Sequence, residues 1–351
     1  MHMSDLPADV LARLREGTVI PAHPLALTAT RELDERRQRA LSRYYLDAGA
    51  GGLAVGVHTT QFEIREVGLY EPVLRIAMEE ATGWTSKPTM MIAGLVGRTD
   101  QALREADVAL GLGYHGALLS LAAFKGASDD EMIEHCAAVA KKIPLVGFYL
   151  QTAVGGRVLS ADFWRRFCGI DNVAAIKIAP FNRYKTIDVA RGLVAAGAED
   201  RVTLYTGNDD HIIADLLTPF TMRRGDETVT VRIKGGLLGH WSVWTQTAVR
   251  QLARCHKAAE KGVIESDLLA LDAQVTDSNA AVFDAANDYA GVIAGCHEVL
   301  RRQGLLDGIW CLNPDETLGP GQADELDRVC AAYPHLVDDD FVKANLERWL
   351  A

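Results

Sequence analysis

The stretch NVAAIKIAPFNR, residues 172–183, is a short apolar run that carries a single lysine, Lys177. Its length and its Val, Ile and Ala content are typical of a buried β-strand. Lysine is among the side chains least often found buried, because its ammonium group is strongly hydrated. A lysine at the end of such a strand is therefore either directed out to solvent or held there for its chemistry.

Similar runs recur along the chain, and each is followed by a helical pattern. The eight runs are residues 18–27, 52–57, 89–95, 116–121, 143–150, 172–178, 201–207 and 235–240. The segments between them place apolar residues at helical spacing and end in Gly. Strands that alternate with helices predict a parallel sheet, and eight units predict a (β/α)8 TIM barrel. The alternative, an open doubly wound sheet, is disfavoured because no Gly-x-Gly-x-x-Gly follows the first strand.

Two parts of the chain depart from this alternation. Residues 219–234, PFTMRRGDETVTVRIK, predict a surface hairpin around the Arg-Gly-Asp at 224–226, which we interpret as a turn. After residue 240 the pattern is entirely helical, which predicts a C-terminal helical extension. We therefore expect a barrel in residues 1–245 and a helical region packed on it in residues 246–351.

The composition limits the kinds of partner. The 351 residues are 48% hydrophobic, and 36 Lys and Arg against 47 Asp and Glu give a formal charge of −11. An acidic chain without a basic run disfavours nucleic acid and anionic membranes as partners. The six cysteines have no Cys-x-x-Cys spacing, and the start of the chain lacks the apolar core of a signal peptide. We expect a cytoplasmic protein that has no transmembrane span and binds no metal.

The chemistry that a buried lysine supports is specific. Catalytic residues of a (β/α)8 barrel lie at the carboxyl ends of its strands, and Lys177 ends the sixth predicted strand. Desolvation disfavours the cation and lowers the pKa of such a lysine. The neutral amine then attacks a carbonyl to form a Schiff base. The protonated imine withdraws electrons from the adjacent carbon, which permits C–C cleavage, aldol addition or dehydration.

Hydroxyl groups follow two other predicted strands. Tyr149 ends the fifth strand, one βα unit before Lys177, and a phenol there is a candidate proton carrier. Thr59 and Thr60 follow the second strand. Taken singly, a tyrosine at a strand end more often packs, and a threonine pair more often forms a turn or a helix cap. Together they predict a proton relay beside the lysine.

The sequence resembles the dihydrodipicolinate synthase / N-acetylneuraminate lyase family of class I aldolases and lyases. The matching stretches are VGVHTT (55–60), IPLVGFYLQTAVGG (143–156), NVAAIK (172–177) and LYTGNDD (204–210). Their order matches from about residue 18 to 310. The resemblance implies that Lys177 is the Schiff-base lysine, that Tyr149 shuttles protons, and that Thr59 and Thr60 bind the carboxylate of a 2-oxo acid or relay protons. It also implies a homotetramer without metal or organic cofactor.

The chain departs from the synthase branch of this family at several positions. An arginine that follows the strand-5 tyrosine there falls near Val154 here, with Arg157 three residues further on. A relay tyrosine from a neighbouring subunit falls near Phe124, which has no hydroxyl. These differences argue against a role in lysine biosynthesis and leave the chemistry of Lys177 intact.

Four further residues are candidates for binding substrate. Asn182 is suited to bind a hydroxyl or carboxylate, and equally to cap the next helix. Asp209, in GNDD, has the same two interpretations. His240 and Trp241, in the strand-8 exit GHWSVW, are candidates for lining the pocket, with His240 also a candidate acid or base. The alternative for Trp241 is packing of the following helix.

These observations predict a Schiff-base lyase, an aldolase or dehydratase, that acts on a 2-oxo acid with pyruvate as the expected common fragment. A barrel that has lost catalysis and binds a small metabolite is the alternative from another class. Dihydrodipicolinate synthase proper and a metal-dependent barrel enzyme are further alternatives. The sequence leaves the substrate and the direction of reaction open.

Overall fold

The strands of the chain form a closed parallel barrel. The structure is a computed structural model that describes residues 1–152 and 155–351. The strands in these residues are β1 Val19–Pro21, β2 Gly52–Val55, β3 Met90–Leu95, β4 Gly116–Leu119, β5 Leu145–Leu150, β6 Val173–Ala179, β7 Thr203–Thr206, β8 Pro219–Arg224 and β9 Glu227–Leu238. The α-helices are α1 Ala8–Glu16, α2 Glu35–Ala48, α3 Tyr70–Gly83, α4 Thr99–Gly111, α5 Asp129–Ala140, α6 Ala161–Cys168, α7 Arg183–Ala196, α8 Ile212–Leu217, α9 Thr245–Lys261, α10 Ser266–Val282, α11 Val292–Arg302, α12 Gln322–Ala332 and α13 Asp339–Leu350.

The strand order shows how the barrel closes. The hydrogen-bonded order is β1-β9-β7-β6-β5-β4-β3-β2, with parallel pairing throughout. A parallel bridge between Ala22 and Ala54 joins the two ends of this order, and the His23 amide donates to the Ala54 carbonyl at 2.8 Å. This closure confirms the predicted (β/α)8 barrel and excludes the open doubly wound sheet.

The predicted surface hairpin is present and is continuous with the barrel. Strand β8 pairs antiparallel with the first half of β9, and the chain reverses at Gly225, which has a φ of +60°. The second half of β9 enters the barrel, where it pairs in parallel with β7 and β1. The eighth barrel strand therefore starts before the stretch 235–240 that the sequence indicates.

Alternation along the strands separates two cores. Side chains such as Phe148, Ala175 and Tyr205 fill the barrel interior, whereas Tyr149 and Ile178 pack outward against the helices. Helix α1 contributes apolar residues to the interior cluster, and so it closes the amino-terminal end of the barrel. One hydrogen bond that fixes it runs from the Tyr205 hydroxyl to the Leu14 carbonyl, at 2.7 Å. The carboxyl ends of the strands are left for the site.

The C-terminal region packs on the barrel helices. The Tyr44 hydroxyl in α2 donates to Asp338 at 2.8 Å, and the Trp349 indole donates to Asp47 at 2.6 Å. The region contains the predicted helices, but the expectation that it is helical throughout was wrong for residues 303–321. That segment is rich in Gly and Pro, which do not sustain a helix. In the part of the chain that the structure describes, no helix is long and apolar enough to cross a membrane.

Candidate active site

A cavity lies at the carboxyl ends of the barrel strands, around Lys177. Its volume is about 70 Å³, and it opens to solvent. Strands β5, β6 and β7 and the turns that follow them supply Phe148, Lys177 and Asp209 to its wall. The C-terminal region supplies Phe283, Tyr289 and Val292. The cavity is therefore built by the barrel and the helical extension together.

Lys177 points into the barrel and is held tightly. Its side chain is 8% exposed, and its Nζ lies 4.6 Å from the centroid of the Phe148 ring. Gly207 makes room for it, since a Cβ atom at that position would lie 2.7 Å from Lys177 Cε and 2.8 Å from Ala179 Cβ. The alternative, in which the lysine extends to solvent from its strand end, does not hold.

Lys177 and Asp209 perturb each other. Burial lowers the pKa of Lys177 to about 8, against the opposing influence of the negative charge of Asp209. Burial also raises the pKa of Asp209 to about 7, although a hydrogen bond from the His240 amide at 2.9 Å and the charge of Lys177 favour its ionised form. The pair supplies an amine that is partly neutral near pH 7 and a carboxyl group that exchanges a proton in the same range.

In the loop after β2, two side chains line the cavity and a third is turned away from it. His58 and Thr59 line the cavity, and the Thr59 hydroxyl donates to the Ala22 carbonyl at 2.7 Å. Desolvation and the charge of Lys177 lower the pKa of His58 to about 4, so its imidazole is neutral at pH 7. The hydroxyl of Thr60 is turned away from the cavity. It donates to the His23 carbonyl and accepts from the Gly56 and Val57 amides, which makes it a cap of this loop.

The structure does not bring Tyr149 to Lys177. Its ring packs outward against Trp164, at 5.3 Å between centroids, and its hydroxyl both donates to the Leu159 carbonyl and accepts from the Leu159 amide. Side chains alternate along β5, so that Leu145 and Tyr149 face the helices while Val146 and Phe148 face the interior. The register shift opposite Leu145 and Val146 lies in β6, where Ala174 and Ala175 both join the interior cluster, and it leaves Phe148 opposite Lys177. The expected position of the phenol is thus occupied by Phe148.

The other sequence-based candidates divide between the cavity and the core. Asn182 caps α7, where its side chain accepts from the Lys185 amide at 3.2 Å. Asp209 lines the cavity. His240 and Trp241 line a second, smaller cavity, and Trp241 is fully buried in the core. The interpretations of Asn182 as a cap and of Trp241 as packing are therefore the ones that the structure favours.

The positions that differ from the synthase branch also have defined surroundings. Phe124 is buried with its ring 4.5 Å from that of His135. Arg157 donates to the carbonyls of Phe124 and Ala127, so its guanidinium is already engaged. Val154 lies outside the described residues. Within residues 1–152 and 155–351, no group of three or more His, Cys, Asp or Glu side chains is arranged to hold a metal ion.

Four aromatic residues of the cavity were not predicted from the sequence: Phe148, Phe181, Phe283 and Tyr289. Phe148 was hidden by its neighbour Tyr149, and strict alternation counted from Lys177 with the correct register would have found it. Phe283 and Tyr289 lie more than 100 residues from Lys177 and carry no local signal. The fold of the C-terminal region alone brings them to the lysine.

A family model described as the Dihydrodipicolinate synthetase family matches residues 17–330. The chain belongs to this family. Members of this dihydrodipicolinate synthetase family are class I aldolases and lyases that depend on pyruvate and work through a Schiff base. The match spans the barrel and most of the C-terminal helices, and it confirms the resemblance noted in the sequence.

Solved structures of the family share the fold at low identity. The chloride-inhibited dihydrodipicolinate synthase of Acinetobacter baumannii, complexed with pyruvate, is 17% identical with a TM-score of 0.73, covering 90% of this chain and 98% of its own. CdNal of Clostridium difficile, in complex with mannosamine, is 14% identical with a TM-score of 0.71, covering 90% and 99%. The synthase of Oceanobacillus iheyensis is 16% identical with a TM-score of 0.72, covering 93% and 99%. No curated protein sequence matches the chain.

Proposed function

We propose that this member of the family is a lyase that binds a 2-oxo acid as an imine on Lys177, with pyruvate as the fragment common to its reactions. The observation that carries the proposal is the burial of the Lys177 amine in a cavity at the carboxyl ends of the strands. Burial lowers the pKa of Lys177 to about 8, so a larger share of its amine is neutral and nucleophilic at pH 7 than in an ordinary lysine.

The residues around the amine suit the steps that follow. Lys177 adds to the keto carbon, and loss of water gives the protonated imine. In the cleavage direction Asp209 accepts the proton of the C4 hydroxyl as the C3–C4 bond breaks. The bonding electrons pass to the imine as an enamine, and C4 leaves as an aldehyde. The enamine carbon then takes back a proton, and water releases pyruvate and the free lysine.

The phenol that assists proton transfer in our proposal is Tyr289 rather than Tyr149. Tyr289 lines the cavity with Lys177 and Asp209, whereas the Tyr149 hydroxyl is bonded to the Leu159 backbone on the outside of the barrel. Thr59 lies beside the same cavity and is our candidate for contact with the 2-oxo acid carboxylate. Roles of this kind need a group within reach of the reacting atoms.

Family membership also supports two further proposals, on oligomeric state and on location. We propose that the protein is a homotetramer and that it acts in the cytoplasm, as the sequence resemblance implies. Light scattering at micromolar concentration tests the first. A mass of four chains is expected, and the mass of one chain would overturn it.

Reductive trapping tests the proposed function. Borohydride is added to the protein with pyruvate, and the adduct is located by intact mass and peptide mapping. We expect one adduct, on Lys177, and none in Lys177→Ala. Lys125→Ala, an exposed lysine that follows β4, is the matched control and should keep the adduct. No adduct with pyruvate or any other 2-oxo acid would leave a metabolite-binding barrel as the better explanation.

A further inference from the structure

The residues that line the cavity indicate the chemical character of the part of the substrate that does not contact Lys177. Four aromatic rings face the space, those of Phe148, Phe181, Phe283 and Tyr289. Leu150 and Val292 add aliphatic surface. Small-molecule sites combine such apolar walls with a few polar groups that fix orientation. Here the polar groups include those of Thr59, Gln151, Lys177 and Asp209.

Charge on the described wall is limited to one cation and one anion. Lys177 and Asp209 are those groups, since His58 is neutral at pH 7. The two arginines of the adjoining loops are engaged elsewhere. Arg183 pairs with the buried Asp215 and donates to Thr218 at 3.0 Å, and Arg157 donates to backbone carbonyls.

A 2-oxo acid with one carboxylate is balanced in this setting by the protonated imine. A second carboxylate would enter an apolar space that already contains Asp209, with no free cation on the described wall to meet it. Burying an unpaired charge is strongly unfavourable. A second carboxylate held against this wall is therefore disfavoured.

The backbone holds two of the aromatic residues in a strained conformation. Phe181 and Tyr289 have φ values of +48° and +66°, a region that bulky residues rarely adopt. Their rings meet edge to face at 5.9 Å between centroids. The Phe181 amide is fixed by the Asn208 side chain at 3.0 Å, and the Tyr289 amide by the Asp284 carbonyl at 3.1 Å. Such strain persists where the surrounding structure imposes it, and it concentrates at ligand sites.

We infer that the variable group of the substrate, the one that leaves or adds as an aldehyde, is an uncharged aromatic ring held between the Phe181–Tyr289 pair and Phe283. This inference rests on the proposed imine chemistry at Lys177. Aromatic rings favour the edge-to-face and offset arrangements that this wall offers. In the cleavage direction the products are pyruvate and an aromatic aldehyde, with the C3–C4 electron pair left on the pyruvate fragment.

A matched pair of ligands tests the inference by binding. Calorimetry compares 2-oxo-4-phenylbutanoate with 2-oxoglutarate, which share the 2-oxo acid group and differ in the distal ring or carboxylate. We expect Kd for the phenyl compound to be at least tenfold lower. Phe181→Ala and Phe283→Ala should each raise that Kd about tenfold. Tyr184→Ala, an exposed aromatic three residues from Phe181 and 83% exposed, should leave it unchanged.

Trapping with pyruvate in the same variants separates the two proposals. If pyruvate forms its adduct on Lys177 but 2-oxoglutarate binds as tightly as the phenyl compound, the aromatic inference is overturned and the imine chemistry stands. If no 2-oxo acid is trapped, the proposed function fails, whatever the binding preference. Turnover of pyruvate with benzaldehyde at least ten times faster than with succinic semialdehyde, an anionic aldehyde, would support both.

Discussion

The Lys177 amine lies 4.6 Å from the centre of the Phe148 ring, and the two residues stand opposite each other in the register of β5 and β6. The ring excludes water from one side of the amine while its negative π face stabilises the cation. Desolvation is the larger influence, because the pKa of Lys177 falls to about 8. The contact with this ring explains how the lysine is buried although the residues paired with it on the neighbouring strands, Phe148 and Tyr205, carry no charge.

The pH dependence of trapping should follow the lysine. Its pKa is lowered, so the neutral amine accumulates as pH rises through about 8, and the initial rate of adduct formation should rise over the same range. Asp209→Asn removes a negative charge that favours the ammonium form. The midpoint should therefore move to lower pH in that variant. A midpoint that moves upward, or one near the value of an ordinary lysine, would contradict this account.

Variants of Tyr289, which lines the cavity, and of Tyr149, which faces outward, test which phenol takes part in catalysis. Tyr289→Phe should lower turnover by about 10²-fold, the lower end of general acid–base effects, while pyruvate still binds. Tyr149→Phe should leave turnover within about threefold and reduce stability by about 1–2 kcal/mol, because its hydroxyl bonds only to the Leu159 backbone. Steady-state kinetics and urea unfolding give both readouts. The reverse pattern, a loss confined to Tyr149→Phe, would restore the relay that the sequence resemblance implies.

Gly207 provides a test of the lysine's position that leaves its chemistry intact. In Gly207→Ala the new methyl group would lie 2.7 Å from Lys177 Cε and 2.8 Å from Ala179 Cβ, so the lysine must shift. We expect the rate of adduct formation to fall at least tenfold, since small displacements of a reacting group are costly. Gly111→Ala, at the end of α4 with nothing near its Cβ, is the control. Equal rates in the two variants would show that the position of the amine is not critical.

Thr60 should matter for stability more than for chemistry. Thr60→Val leaves the His23 carbonyl and the Gly56 and Val57 amides without the hydroxyl, and we expect a loss of about 2–4 kcal/mol in the free energy of unfolding. Thr59→Val should cost less, because the Ala22 carbonyl that it loses also accepts from Ser242. Urea unfolding compares the two. A larger loss in Thr59→Val would reverse their roles.

The strands and the lysine could be predicted because they are local features. The apolar run that leads to Lys177 indicates a buried strand whatever its surroundings, and the Arg-Gly-Asp at 224–226 indicates the turn of a hairpin. The facing of Tyr149 could not be predicted. Tyr149 and Lys177 are 28 residues apart, as are the paired residues Leu145 and Val173. From Val146 onward, paired residues of the two strands are 29 residues apart, so Lys177 pairs with Phe148. A spacing in the sequence fixes the strand ends but does not reveal this change of register.

The sequence alone does not determine that Asn182 forms a helix cap or that Trp241 is buried, for a related reason. A polar or aromatic residue just after a strand suits a helix cap, a packed core and a pocket equally well, and only its neighbours in space decide. The place of Phe283 and Tyr289 in the cavity depends on where α10 ends relative to the barrel, and no short sequence pattern encodes that position. The sequence indicates the reacting amine together with Thr59 and Asp209, and it does not indicate the aromatic part of the wall.

The division between barrel and C-terminal wall has a consequence for how such an enzyme changes. The nucleophile is encoded at residue 177, and much of the surface that we assign to substrate choice is encoded between residues 283 and 292. Codons in that short distal segment can diverge, or be exchanged with those of a sister gene, without passing through a form that lacks the nucleophile. Tyr289, which we place in the chemistry, is the exception in this segment, so directed evolution of new acceptors should begin at Phe283 and Val292.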